Sequence, residues 1–131
     1  MATDRQVARH GPFADFIANG VKVGNVVYLS GQVSVDDQGQ VVAPGDIVAQ
    51  SRQAYAHIRS TLEELGATMT DIVDETVFVT DINAAMANLE PLFAARAEAY
   101  GGQPQVSQTL VQVAALVMPE LMIEIKCVAA L

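Results

Sequence analysis

The spacing of apolar and polar positions changes several times along the chain, and each change marks an element. "GVKVGNVVYLSGQVSV" (20–35) alternates with a period of two and breaks at Gly24-Asn25, which predicts two strands joined as a hairpin. A second turn is predicted at Asp37-Gln38-Gly39. Pro44-Gly45 then leads into "DIVAQSRQAYAHIRSTLEELGA" (46–67), a helix with Asp46 as N-cap and Gly66 as stop. Within it Val48, Ser51, Tyr55, Ile58, Leu62 and Leu65 recur at three- and four-residue steps and form a core stripe. His57 falls on the opposite side and is expected at the surface.

"DIVDETVFVTD" (71–81) contains a strand from Glu75 to Thr80, with Thr76, Phe78 and Thr80 on one face. Residues 82–102 are Ala-rich and helical up to Gly101-Gly102, but Pro91 cannot sit mid-helix, so the regular part begins near Glu90. The tail (106–131) reads as two strands joined around Met118-Pro119-Glu120. In the last strand Ile123, Ile125, Cys127, Ala129 and Leu131 share an apolar face, and Glu124 and Lys126 lie on the other. The order β-β-(β)-α-β-α-β-β predicts an α+β class: one domain over residues 1–131, with two helices on one face of a mostly antiparallel sheet. If the last two strands form a hairpin, Gln108 and Gln112 share a strip with Glu124 and Lys126. The plainer account of that strip is a Glu124–Lys126 pair on a solvated face.

Composition narrows the chemistry. Apolar residues make up 51% of the chain and charged residues 17%, so some apolar surface is expected to be covered by further copies. Seven basic against fifteen acidic residues, a net charge of −8, argue against a nucleic-acid partner, which needs phosphate neutralisation. Cys127 is the single cysteine, so no disulfide framework or thiolate cluster forms, and its place on the apolar face predicts a buried, inert thiol. His10 and His57 are too far apart to suggest a metal site. "MATDRQVARHGPF" has no apolar signal core and no run is long enough to span a bilayer, so no membrane partner and a cytoplasmic location are expected. No dinucleotide, Walker, nucleophile-elbow or zinc-protease motif occurs, and no cofactor is expected. Gly31, inside the strand-like "SGQV" (30–33), marks a bulge or a close approach to the backbone.

Four blocks, "VKVGNVVYLSGQV", "DIVAQSRQAYAHIRSTLEELGA", "DIVDETVFVTD" and "TLVQVAALVMPELMIEIKCVA", together resemble the Rid family of enamine/imine deaminases. This family is also called YjgF or RutC, and some members carry an older endoribonuclease name. The likeness runs over roughly residues 11–131. It implies a chorismate-mutase-like α+β fold, a homotrimer with clefts between subunits, and hydrolysis of a 2-imino acid to a keto acid and ammonia without a cofactor. The resemblance implies Glu124 as the acid that orients water and Ser30, Gly31 and Gln32 as cleft lining. Gln108 stands where the family has a carboxylate-binding arginine, three residues before "VQVA", and Leu110 where many members have cysteine. Phe13, Phe16 and Ile17 compete for the place of an N-terminal tyrosine, with Phe16 taken as the candidate, and Asn88 stands for a helix asparagine. The missing arginine implies that the substrate is not a simple 2-imino acid, because an amide cannot cancel a carboxylate's charge. Three functions follow for comparison: a hydrolase of a small imine or enamine, a non-catalytic ligand-binding trimer of the same fold, and a ribonuclease, which the acidic composition disfavours.

Overall fold

The computed structural model describes residues 4–131; residues 1–3, the start of the segment read above as lacking a signal core, lie outside the described residues. The elements run β1 (Gln6–Ala8), β2 (Gly20–Val23), β3 (Val26–Leu29), β4 (Gln32–Val33), α1 (Ile47–Glu64), β5 (Ile72–Val79), α2 (Ile82–Ala87), α3 (Leu89–Tyr100), β6 (Ser107–Gln112) and β7 (Ile123–Ala130). A single mixed sheet has the order β1-β2-β3-β7-β5-β6, and β4 also pairs with β7. The helices pack on one face, giving the expected α+β class.

The local signals act as their chemistry dictates. The β2–β3 hairpin turns on Gly24-Asn25, with Val23 opposite Val26 and Gly24 at a φ of 58°. Asp36 closes the next turn by accepting from Gln38 and Gln40 main-chain nitrogens, and Gly39 supplies the positive φ of 79°. Asp46 caps α1 by accepting from Ala49 N at 3.0 Å. The inward side of α1 buries Ile47, Ala54, Tyr55, Ile58 and Leu62 against Val27, Leu29, Ile125, Cys127 and Ala129 of the sheet. Cys127 is fully buried, and burial followed by the nearby charge of Glu75 pushes its thiol up to about 12.

Three features differ from expectation. The second helical stretch is two helices, α2 and α3, meeting at Asn88, so three helices cover the sheet rather than two. Pro91 sits in the first turn of α3, where its missing N–H loses no helical bond. A short strand, β1, pairs with β2 at the far edge.

The third difference changes the site. β6 and β7 are not a hairpin: β6 runs parallel to β5, and β7 inserts between β3 and β5. The helices α2 and α3 form the crossover that a parallel β5–β6 pair requires. Burial explains the choice. The inward face of β7 is wholly apolar and at most 2% exposed from Ile123 to Ala129, whereas β6 offers Gln108 and Gln112 around Leu110 and suits an edge. Gln108 and Gln112 therefore stand on the helix-covered face, in register with Glu75 and Val79, while Glu124 and Lys126 stand on the other. The expected strip of two amides, Glu124 and Lys126 does not form.

The helix layer carries the core, so truncating its centre is expected to open a cavity. Ile58→Ala should lower unfolding free energy by about 2–5 kcal/mol in urea denaturation. A loss under about 1 kcal/mol would contradict this packing.

Candidate active site

β3 and β4 are one course along β7, interrupted where the chain bulges. Tyr28 pairs with Val128 and Gln32 with Ile125, so residues 29–31 stand opposite residues 126–127. Gly31 sits in this bulge because the Glu124 carboxylate lies on its backbone. A Cβ added there would be 2.3 Å from Glu124 Oε2. The close approach expected of Gly31 is thus an approach by the chain's own acid. Ser30 Oγ donates to Ala18 O at 2.7 Å, and Gln32 Nε2 donates to Ser30 O at 3.0 Å, which stiffens the bulge.

The start of β7 is fixed from below by Gln50, a fully buried amide of α1. Its nitrogen donates to Glu120 O and Ala43 O, and its oxygen accepts from Met122 N at 2.8 Å. That latch places Glu124 two residues further on. The neighbouring cation does not pair with it: Lys126 Nζ donates to Leu29 O at 2.8 Å, and no Glu124–Lys126 ion pair occurs among the described residues. Burial raises the Glu124 pKa above the ordinary carboxylate range, and the more distant Lys126 charge offsets this in part.

Glu124, Ser30, Gly31 and Gln32 open on a cavity of about 420 Å³, in the range of small-molecule sites. Phe13 and Ile17 line it as well; Phe16 is 84% exposed and lies outside the wall. His10 and His57 also face this space. His57 is half-buried rather than on the open surface, with Nε2 2.7 Å from Val35 O. Sequence spacing did not bring the two histidines together, because their proximity depends on His10 reaching α1, where its Nε2 lies 3.1 Å from Thr61 Oγ1, one turn beyond His57. No cluster of three or more metal-binding side chains occurs among the described residues.

The remaining candidates lie elsewhere. Asn88 joins α2 to α3, its amide nitrogen donating to Ala84 O at 2.8 Å. Leu110 and Gln108 line a small recess of about 30 Å³ beneath α3. The Gln108 amide does not stand free: its Nε2 donates to Glu75 Oε1 at 2.7 Å. Glu75, fully buried, is the residue that sequence reasoning missed. Its Oε1 also accepts from Arg96 Nε at 2.8 Å, and its Oε2 from the hydroxyls of Tyr55 (2.9 Å) and Tyr100 (2.7 Å). Burial and then the charge of Glu75 or Cys127 push both tyrosine pKa values strongly upward, so both hydroxyls remain donors. The signal was present, since Glu75 shares strand parity with the apolar Val77 and Val79.

Known proteins resemble this chain in sequence and in fold. Residues 7–131 match the family model described as Endoribonuclease L-PSP. The chain belongs to this family, also known as Rid, YjgF or RutC. A RutC family protein of Pyrococcus abyssi is 29% identical over 119 residues, 91% of this chain and 86% of the relative. The 2-iminobutanoate/2-iminopropanoate deaminase of Escherichia coli K12 is 38% identical over 84 residues, spanning 63% of this chain and 61% of that protein. The crystal structure of the E. coli YjgF gene product superposes with a TM-score of 0.79 at 32% identity, covering 95% of this chain and 97% of that one. The fold of the Rid family is therefore the fold seen here. No helix among the described residues is long and apolar enough to cross a membrane.

Two outcomes test the geometry. Glu75→Ala leaves the partly buried Arg96 and two buried hydroxyls without their acceptor and should cost about 3–5 kcal/mol in denaturant unfolding. Gly31→Ala leaves the fold intact, because Gly31 has no left-handed φ, but must displace the Glu124 carboxylate. The titration midpoint of Glu124, followed by carboxyl NMR, should then fall toward the ordinary range; an unchanged midpoint would contradict the contact.

Proposed function

We propose that the chain is a deaminase-type hydrolase of a small imine or enamine, with Glu124 orienting the attacking water. The observation that carries this is the Glu124 carboxylate: half-desolvated, pressed on the Gly31 backbone at the wall of the 420 Å³ cavity, and unpaired with Lys126. The deaminase named among its relatives supports the reaction class.

The chemistry needs little beyond positioning and a proton relay. An enamine first takes a solvent proton at its β-carbon and releases one from nitrogen, which makes it the imine. Water adds to the C=N carbon and gives one proton to Glu124 as the C–O bond forms; the π electrons move to nitrogen, and Glu124 passes that proton to it. Glu124 then takes the remaining hydroxyl proton as the carbonyl forms and delivers it to the nitrogen, the C–N bond breaks, and ammonia leaves. No cofactor enters these steps.

In one copy, Ser30, Gly31 and Glu124 line the cavity while Gln108 and Leu110 line the recess on the other face of the sheet. We therefore place the complete site between copies, in a homotrimer, with Asn88 and a residue of the N-terminal segment at its margins. Tyr28 and Val111, on the face no helix covers, are 52% and 39% exposed and offer apolar area for such contacts. The location is cytoplasmic in this reading. The substrate is not a simple 2-imino acid, since Gln108 replaces an arginine and its amide nitrogen is held by Glu75. That commitment also favours a second reading, a trimer that binds a small molecule without turnover.

Hydrolysis of 2-iminopropanoate and of a panel of neutral enamines, trapped with semicarbazide, separates the two. Wild type should accelerate a neutral enamine, and Glu124→Gln should lose about 10²–10⁴-fold, the usual size of general acid–base assistance. The rate should rise with pH through a midpoint above the ordinary carboxylate range, because the ionised form takes the proton. Stability has the opposite sign. A raised acid pKa means that the charged form is penalised in the fold, a penalty present at neutral pH and relieved as pH falls through the folded midpoint. Glu124→Gln should therefore be at least as stable as wild type at pH 7. Ligand binding that survives Glu124→Ala without any turnover would select the second reading.

A further inference from the structure

Two imidazoles stand in the wall of the cavity that Glu124 lines, and their contacts fix which nitrogen of each carries the proton. His57 Nε2 lies 2.7 Å from Val35 O, a group that can only accept, so Nε2 is the N–H. The Gln53 amide nitrogen is further off, 3.4 Å from the same Nε2, and itself reaches Val35 O at 3.3 Å. His10 is set in the same way. Its Nε2 is 3.1 Å from Thr61 Oγ1, whose own proton goes to His57 O. With Nε2 protonated, Nδ1 of each neutral ring is an acceptor.

These acceptors are open. Neither Nδ1 has a hydrogen-bond partner among the described residues. Both rings are half-buried, yet among the described residues the one sealed side-chain nitrogen or oxygen without a partner is Arg96 Nη2. Solvent therefore reaches both Nδ1 atoms. His57 is the more firmly placed, because it stands on α1 and is tied to the carbonyl of Val35, a residue of the same wall. The surrounding charges favour the same kind of ligand. Asp36, Asp37 and Glu124 put three carboxylates in the wall against the single ammonium of Lys126, which already donates to Leu29 O. An anionic tail is repelled there, whereas an N–H group meets an acceptor.

We infer that His57 is a specificity-determining residue of the cavity, its Nδ1 accepting from an amino or amide N–H that the ligand carries apart from its reacting C=N. The substrate class is then an imine or enamine with a second N–H group, in preference to one with an ester or carboxylate in that place. This rests on the reading above that the cavity takes the substrate. At about 420 Å³ the space has room for a small molecule that touches more than one part of its wall.

The test titrates protein carrying ¹⁵N-histidine with three probes of one skeleton: pentanamide, methyl pentanoate and pentanoate. Before any addition, the neutral His57 ring should show the Nε2–H form. Pentanamide should shift the His57 Nδ1 resonance and bind about three- to tenfold more tightly than the ester, the size of one neutral hydrogen bond. Pentanoate should bind more weakly than the amide. His57→Ala should bring amide and ester within about twofold of each other. An Nδ1–H form of His57, a silent Nδ1 signal, an amide that does not bind or binds no tighter than ester and acid, or an unchanged preference in folded His57→Ala would each overturn the inference. If His57→Ala does not fold, the wild-type resonances and preference decide alone. Amide binding at His57 without any imine hydrolysis would remove the deaminase reading and leave this one standing. Glu124-dependent hydrolysis with an unresponsive His57 would do the reverse.

Discussion

One buried carboxylate organises the helix-covered face of this protein. Glu75 accepts from α1 through Tyr55, from α3 through Arg96 and Tyr100, and from the edge strand β6 through Gln108. Three elements distant in sequence are thereby held to β5 at one point. A buried charge is tolerated only when its acceptor positions are filled, and here four donors fill them. The same contacts fix the helix face beneath which the recess forms and engage one N–H of the Gln108 amide.

The two faces of the sheet divide the labour. Beneath the helices lie the core, the Glu75 network and the recess. On the other face, at the bulge between β3 and β4, lies Glu124 against Gly31. Gln50 links the two, because its latch on Glu120 and Met122 sets where β7 begins. The position of Glu124 therefore depends on an amide that never touches the cavity.

The local elements were legible in the chain because short-range chemistry determines them. The Gly24-Asn25 turn, the Asp46 cap, the α1 stripe and the restart near Pro91 all follow from propensity and spacing. Strand order did not follow. Two strands joined by a short segment read as a hairpin, yet β7 moved to the centre because its inward face is the more apolar. That long-range choice placed Gln108 and Glu124 on opposite faces. Glu124 and Gly31 were legible as a charged residue in an apolar strand and a glycine in a strand pattern. Glu75 carried the same kind of signal, an acid in step with Val77 and Val79, but its role was not legible. What identifies it is the arrival of donors from α1, α3 and β6, and no window of sequence contains them.

The placement of Cys127 has a chemical consequence for the cavity. Imines and enamines give rise to electrophiles that soft nucleophiles capture as lasting adducts. The chain's one thiol is sealed under the helices, with its proton held up to about 12, on the opposite face of the strand that presents Glu124. A carbon centre in the cavity is thus screened from sulfur by the thickness of a β-sheet. A thiol-reactive compound in that cavity would therefore not meet Cys127.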